Sequence, residues 1–133
     1  MTEIIKKPWG SELILKYNEK VLIADKGNLS VQVHLQRNEL WTALNDVEFI
    51  IFPKPITKDN FNAMYRKIIE GTYLNYRMTL KKYERIKIPK CYIHCLLKGS
   101  VVLEKFDKPD KTYRLLDYYA RGLDWQELKD NLQ

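Results

Sequence analysis

The residues best suited to chemistry in this sequence are its two histidines, His34 and His94, together with Gln32 and Glu39. Imidazole nitrogens, a carboxylate and an amide oxygen are typical ligands of divalent metals of borderline hardness. Gln32 and His34 are two positions apart, so on a strand both side chains point to the same face. A lone histidine is more often structural, but the joint pattern predicts that all four residues bind one divalent metal. Residue types alone do not choose among Zn²⁺, Fe²⁺, Mn²⁺, Co²⁺ and Ni²⁺.

Short strands are predicted to position these side chains. Apolar residues alternate with polar ones in the stretch that contains Gln32 and His34, which gives the period of two that is typical of a strand. The apolar members of this alternation are Leu29, Val31, Val33 and Leu35. Apolar runs at 12–15 and 20–24 predict a hairpin, and Lys26-Gly27-Asn28 predicts a second turn.

Two helices are predicted among the remaining strands. A strand pair is expected over 41–52, and a helical insertion follows at about 57–71, with Thr57 as its N-cap and Gly71 as its end. Strands are expected to resume from Leu80, with His94 near the end of one of them. A C-terminal helix is expected at about 124–132. This order predicts a mainly β protein, a sandwich or barrel with one or two short helices.

Composition and charge narrow the class of protein. A chain of 133 residues with 45% hydrophobic residues is expected to form one globular domain over 1–133. The formal net charge is +6, but the lysines are scattered, so nucleic-acid binding is not indicated, whereas an anionic small ligand fits. From the sequence we expect no signal peptide and no membrane-spanning run, and we expect its two cysteines, Cys91 and Cys95, to be reduced. We therefore expect a cytoplasmic protein.

Two spaced motifs resemble those of the cupin superfamily. Gly27-x4-Gln32-x-His34-x4-Glu39 is similar to the first cupin motif, with Gln32 in the place of its first histidine. Pro89-x-Cys91-x-x-His94 is similar to the second motif, with Cys91 in the place of a glycine. The resemblance implies a cupin-type β-barrel, or jelly roll, that holds a metal at one end.

Further segments resemble the type I phosphomannose isomerases within that superfamily. They are Lys7-Pro8-Trp9-Gly10, Arg37-Asn-Glu39-Leu-Trp41 and Thr112-Tyr-Arg114-Leu-Leu-Asp117-Tyr118. The similarity covers most of the chain, although Arg37 stands where the family has a lysine. The resemblance implies zinc as the metal and interconversion of mannose 6-phosphate and fructose 6-phosphate.

The same resemblance suggests roles for three charged residues. Arg114 is expected to face the negative charge of the enediolate and to bind substrate, and Glu104 is expected to transfer a proton or position the sugar. Arg37 is expected to bind the substrate phosphate or to steady Glu39. Two simpler interpretations stay open: Glu104 as a surface carboxylate, and Arg114 as a salt-bridged structural arginine.

Alternatives to an isomerase are a cupin that binds a sugar or sugar phosphate without turnover, and a different cupin enzyme such as an epimerase or oxygenase. Exposed edge strands of a barrel often pair with another copy, so a homodimer is also expected. No membrane partner is expected.

Overall fold

Strands make up most of the computed structural model, which describes residues 2–133. In chain order the strands are β1 (Glu3–Lys7), β2 (Gly10–Lys16), β3 (Glu19–Ile23), β4 (Val31–Val33), β5 (Glu39–Ala43), β6 (Val47–Ile51), β7 (Arg77–Leu80), β8 (Arg85–Ile88), β9 (His94–Leu96), β10 (Val101–Phe106) and β11 (Tyr113–Leu116). The helices are α1 (Phe61–Ile69), a short 3-10 helix (Thr72–Tyr76) and α2 (Trp125–Asn131). The expectation of a mainly β protein with short helices is confirmed.

The strands form two antiparallel sheets. The six-stranded sheet has the order β1-β2-β3-β10-β5-β8, and the five-stranded sheet has the order β11-β4-β9-β6-β7. Consecutive strands often belong to different sheets, so the two sheets are connected many times along the chain. No helix within residues 2–133 has the length and apolar character needed to cross a bilayer.

Two layers of buried apolar side chains flank the five-stranded sheet. One layer contains Leu22 and Trp41 of the six-stranded sheet and Phe49 of the five-stranded sheet. The other contains Val31 and Val33 together with residues of α1 and α2. The alternation around Gln32 therefore separates a helix-covered apolar face from a polar face, and it is this polar face that carries the candidate ligands.

The structure differs from several local expectations. Strands β5 and β6 within 41–52 are not paired with each other, because they belong to different sheets. Thr57 is not the N-cap of α1: its side chain accepts a hydrogen bond from the backbone N–H of Asn60, and Asn60 is the N-cap. His94 begins β9 rather than ending a strand. Gly71, with a φ of 80°, directly follows Glu70, the C-cap of α1, and so marks the end of the helix as predicted.

The turn between β1 and β2 requires a glycine. Gly10 has a φ of 152°, and a Cβ atom there would lie 1.8 Å from the backbone oxygen of Ile23. Only a residue without a side chain fits so close an approach of backbone to backbone. The Lys7-Pro8-Trp9-Gly10 segment therefore has a structural reason for its glycine.

Candidate metal centre

Three of the four predicted ligands converge at the end of the space between the sheets. His34 lies just after β4, Glu39 begins β5 and His94 begins β9. The Nε2 atom of His34 is 3.2 Å from Oε2 of Glu39, and the Nε2 atom of His94 is 3.5 Å from Oε1. One ligand atom from each residue lies within 4.8 Å of the others, a spacing that a single ion can bridge. All three side chains are at least 96% buried.

The other nitrogen of each imidazole faces a backbone carbonyl. Nδ1 of His94 is 2.9 Å from the oxygen of Tyr92, and Nδ1 of His34 is 3.2 Å from the oxygen of Lys111. A carbonyl only accepts, so these contacts favour the tautomer with the proton on Nδ1, which leaves the lone pair of each ring on Nε2. Both lone pairs point to Glu39. Orientation of a ligand histidine by its second nitrogen is the usual arrangement in metal sites.

Gln32 occupies the centre of a row that crosses the five-stranded sheet. Its register partners are His94 on β9 and Arg114 on β11. Directly opposed residues of antiparallel strands share a face, so the three side chains lie on the same side of the sheet as His34. Gln32 and Arg114 both line the cavity next to His34 and Glu39.

Glu104 is the second buried carboxylate of the site. Its exposed fraction is 3%, which excludes the surface interpretation. The indole N–H of Trp41 lies 3.2 Å from Oε1 of Glu39 and 3.2 Å from Oε1 of Glu104. Nη2 of Arg37 lies 2.6 Å from Oε2 of Glu39 and 3.0 Å from Oε2 of Glu104. The indole N–H of Trp41 and the ion pairs of Arg37 therefore hold the two carboxylates side by side.

Strand register explains this arrangement. Glu104 on β10 is opposite Trp41 on β5 and opposite Lys20 on β3, so the three lie in one row on the inner face of the six-stranded sheet. Glu39 is two residues before Trp41 and therefore shares its face. The ammonium of Lys20 is 3.1 Å from Oε1 of Glu12 and 3.7 Å from Oε2 of Glu104.

Burial and charge separate the acid strengths of these groups. Burial, together with the negative charge of Glu39, raises the pKa of Glu104 to about 8. Burial also lowers the pKa of His94 to about 4, because the charged imidazolium is disfavoured there. Burial alone would raise the pKa of Glu39, but its contacts with His34, His94 and Arg37 outweigh burial and hold that pKa well below its usual range.

The cavity around these groups has a volume of about 100 Å³. Cations dominate its rim and walls. They are Lys7, Lys20, Arg37, Arg114 and Arg121. Arg121 pairs with Asp117, whereas Arg114 has no ion-pair partner among residues 2–133, so the salt-bridged interpretation of Arg114 finds no support.

Comparisons with known proteins identify the family. Mannose-6-phosphate isomerase ManA from Bacillus subtilis (strain 168) is 31% identical over 115 residues, which are 74% of this chain and 36% of the relative. The probable mannose-6-phosphate isomerase GmuF of the same organism is 31% identical over 109 residues, 68% of this chain and 34% of the relative. No protein-family model matches the chain.

Solved structures match over most of the chain. The crystal structure of mannose 6-phosphate isomerase from Bacillus subtilis superposes with a TM-score of 0.68 at 20% identity, covering 86% of this chain and 43% of that one. The capsular polysaccharide assembling protein CapF from Staphylococcus aureus superposes with a TM-score of 0.60 at 15% identity, covering 87% of this chain and 34% of that one. The chain is a mannose-6-phosphate isomerase-like cupin. This cupin spans about a third of the length of the curated relatives it matches.

The cupin brings together the side chains that the sequence singled out. Gln32, His34, Glu39, Arg37, Glu104 and Arg114 all line the same cavity, and His94 contacts Glu39 beneath it. Sequence reasoning missed the role of Trp41, although its position two residues after Glu39 on a strand was a usable signal. It also missed Lys20, whose position opposite Glu104 depends on a register between distant strands that no local pattern reveals.

The donor set of the cupin fits a divalent metal. The Nε2 atom of His94 is buried and has no hydrogen-bond partner among residues 2–133. A buried nitrogen with a free lone pair is costly unless something binds it. His34, Glu39 and His94 supply two imidazole nitrogens and a carboxylate, with the amide of Gln32 beside them, a set suited to zinc and its first-row neighbours.

Proposed function

We propose that this cupin is a metal-dependent aldose–ketose isomerase of a phosphorylated sugar, with mannose 6-phosphate and fructose 6-phosphate as its substrate pair. The observation that carries the proposal is the buried triad of His34, Glu39 and His94 with a second carboxylate, Glu104, directly beside it. The curated relatives named mannose-6-phosphate isomerase support the choice of reaction. The function of the whole protein is a proposal, because the chain spans only part of those relatives.

His34, Glu39, His94 and Gln32 would hold the metal, with zinc the ion implied by the resemblance. A bound divalent ion would act as a Lewis acid that polarises the sugar carbonyl and stabilises negative charge on its oxygen. Glu39 serves as the anionic ligand. Its low pKa keeps it ionised across the physiological range, and Arg37 fixes one of its oxygens.

Glu104 is the candidate for proton transfer between the two adjacent carbons of the sugar. Isomerisation removes a proton from one carbon and returns it to the next, so the group involved must exist in both protonation states near neutral pH. The raised pKa of Glu104, about 8, meets that requirement. Arg37 contacts both Glu104 and Glu39, and this favours the steadying role over phosphate binding for Arg37.

Arg114 is the candidate for binding negative charge on the substrate. It is next to Gln32 in the cross-sheet row and lines the cavity without an ion-pair partner in the described part of the chain. A guanidinium stays charged and can donate to two oxygens at once. Arg114 would therefore bind the enediolate oxygens or the phosphate of the sugar.

The decisive experiment combines elemental analysis with an isomerase assay on mannose 6-phosphate. We expect close to one divalent metal per chain, and we expect His34→Ala and His94→Ala each to lose it. Arg114→Ala should keep the metal and lose the isomerase rate. Arg85→Ala, which changes an exposed arginine on β8 away from the cavity, is the matched control and should keep both.

Metal retention in both histidine variants would refute the ligand assignment. An unchanged rate in Arg114→Ala would remove that residue from the mechanism. Exchange of the C2 proton of the sugar with solvent deuterium would be a further sign of turnover. The proton removed from C2 is held by the base while the enediolate exists, and it can exchange with solvent at that stage.

A second candidate function is binding of a sugar phosphate without turnover. It is favoured by how closely the protein holds Glu104, since Trp41 contacts one of its oxygens and Arg37 the other. A carboxylate held in this way has less freedom to move a proton. Saturable binding of mannose 6-phosphate with no formation of fructose 6-phosphate and no C2 exchange would select this candidate and exclude the isomerase.

A further inference from the structure

Strand β1 forms one edge of the six-stranded sheet. It pairs with β2 on its inner side, and no strand within residues 2–133 pairs with its outer side. Its side chains are Glu3, Ile4, Ile5, Lys6 and Lys7, and Ile4 is 63% exposed. An uncovered edge strand presents free backbone N–H and C=O groups that can pair with another chain, and an exposed isoleucine adds apolar surface to that contact.

Symmetry restricts how two copies of this edge can pair. Antiparallel pairing of identical strands requires a two-fold axis normal to the sheet, which keeps the same face inward in both copies. Directly opposed residues share a face, so each must pair with a residue an even number of positions away or with itself. A register centred on Ile5 satisfies this rule. It places Glu3 opposite Lys7 of the partner subunit, and Ile4 opposite Lys6 of the partner subunit.

The charges of β1 are complementary in that register. Each of the two Glu3 carboxylates meets a lysine of opposite charge, and the two Ile5 side chains meet on the axis. At the other edge of the same sheet, which is formed by β8, the corresponding register would bring like charges together. The corresponding register of β8, centred on Ile86, would place Arg85 opposite Lys87 of the partner subunit, so two cations would face each other at both ends. Like charges directly opposed destabilise strand pairing.

We propose that the protein forms a homodimer through antiparallel pairing of β1 with β1, centred on Ile5, so that the two six-stranded sheets become continuous. Lys7 lines the cavity of the candidate metal centre. The dimer therefore brings Glu3 of the partner subunit to the rim of that cavity, beside Lys7. The proposal concerns only the association of two chains and does not depend on what the metal centre does.

A charge-swap series on the full 133-residue chain tests the register. Sedimentation equilibrium at low salt should show a dimer for the wild type below about 1 mM protein. Glu3→Lys and Lys7→Glu should each weaken dimerisation by about tenfold or more, because each turns two attractive pairs into repulsive ones. The double variant Glu3→Lys/Lys7→Glu restores opposite charges at both positions and should return the affinity to within about threefold of the wild type.

Lys6→Glu is the matched control, since it makes the same charge change on the neighbouring residue of the same strand. Lys6 faces Ile4 of the partner subunit rather than a charge, so this variant should stay within about threefold of the wild type. Circular dichroism verifies that each variant is folded. A wild type that remains monomeric at about 1 mM, a double variant that fails to recover, or a Lys6→Glu variant as weak as Lys7→Glu would each overturn the proposal.

Discussion

At the scale of single residues, the indole N–H of Trp41 is the donor that joins the two buried carboxylates of the site. It lies 3.2 Å from an oxygen of Glu39 and 3.2 Å from an oxygen of Glu104. Its ring also packs edge-on against His94 with centroids 5.6 Å apart. Trp41 is fully buried, so no water replaces a lost contact. It is therefore placed to orient one proposed ligand through a hydrogen bond and another through packing.

We predict that Trp41→Phe lowers metal affinity by about ten- to a hundredfold, the usual effect of removing a group that orients metal ligands. Phenylalanine keeps most of the ring contact and removes only the N–H donor. Affinity is measured by competition with a chromophoric chelator. Trp125→Phe is the control, because its Nε1 atom has no hydrogen-bond partner within residues 2–133. Equal affinities in the two variants would contradict an orienting role for the Trp41 N–H.

Glu104 makes the stability of the metal-free protein depend on pH. Its pKa is raised from 4.5 to about 8 in the folded state. Between these values the folded chain holds a proton that the unfolded chain has released. The contribution of Glu104 to stability is therefore complete below pH 4.5 and is lost as the pH rises through about 8.

We predict that Glu104→Gln flattens the pH dependence of unfolding in the presence of a chelator. In the wild type the free energy of unfolding should fall by up to about 1.4 kcal/mol per pH unit between about pH 6.5 and 8. The variant should lose this slope, because an amide has no proton to release. Urea unfolding at several pH values measures it. Glu12→Gln, which changes another carboxylate of the same cavity, is the control and should keep the slope. If the free energy of unfolding of Glu104→Gln fell with pH as steeply as that of the wild type, the raised pKa of Glu104 would be contradicted.

At the scale of elements, the turn that leads into β9 contains a strained residue. Cys91 has a φ of 71°, a left-handed conformation, at the position where the cupin motif has glycine. Its backbone N–H donates to the oxygen of His34 at 2.7 Å, and its oxygen accepts from the N–H of Ile56 at 2.8 Å. These bonds hold the strained turn in place and connect it to one proposed ligand. The turn is also what brings the chain to His94.

We predict that Cys91→Gly raises the free energy of unfolding by about 1 kcal/mol. A side chain in the left-handed region costs ~1–2 kcal/mol, and the greater freedom of glycine in the unfolded chain offsets part of that gain. Urea denaturation measures the change. Cys91→Ala is the matched control, since it removes the thiol but keeps the Cβ and therefore the strain. If Cys91→Ala stabilised the protein as much as Cys91→Gly, the thiol rather than the backbone would be responsible.

The elements that the sequence predicted well are those defined by local pattern. The hairpin of β2 and β3, the strand around Gln32 and the end of α1 at Gly71 follow from alternation, apolar spacing and glycine. Strand β1 was missed because its Glu-Ile-Ile-Lys-Lys sequence does not alternate cleanly. The start of α1 was predicted too early. Thr57 and Asn60 each accept a hydrogen bond from the other's backbone N–H, so the side chain of Thr57 stabilises the turn before the helix instead of capping it.

Contacts between residues of different strands could not be predicted from local sequence patterns. That His34 and His94 lie close together could be inferred only from the spaced motifs and their resemblance to a family. The contacts of Glu104 with Trp41 and Lys20 depend on which strands are neighbours and in what register. Those choices are set by packing of the whole sheet, which local spacing does not encode.

At the scale of the whole molecule, the proposed ligands belong to both sheets. Glu39 is on the six-stranded sheet, whereas His94 is on the five-stranded sheet and His34 follows a strand of that sheet. An ion held by all three would connect the two sheets at one end of the core. Binding to the folded state alone stabilises a protein by an amount set by the ratio of free ion to dissociation constant.

We predict that metal removal by a chelator lowers the melting temperature of the wild type, because the folded state loses the ion that connects the two sheets. At free zinc about a hundred times the dissociation constant, the stabilisation is ~2.7 kcal/mol, which corresponds to a shift of roughly 5–20 °C for a domain of this size. Differential scanning calorimetry with zinc and with chelator measures it. The double variant His34→Ala/His94→Ala should melt at the same temperature in both conditions, because it lacks the ligands from one sheet. If the melting temperature of the wild type were also the same with zinc and with chelator, the three side chains would hold no ion, and they would lie together only as part of the core.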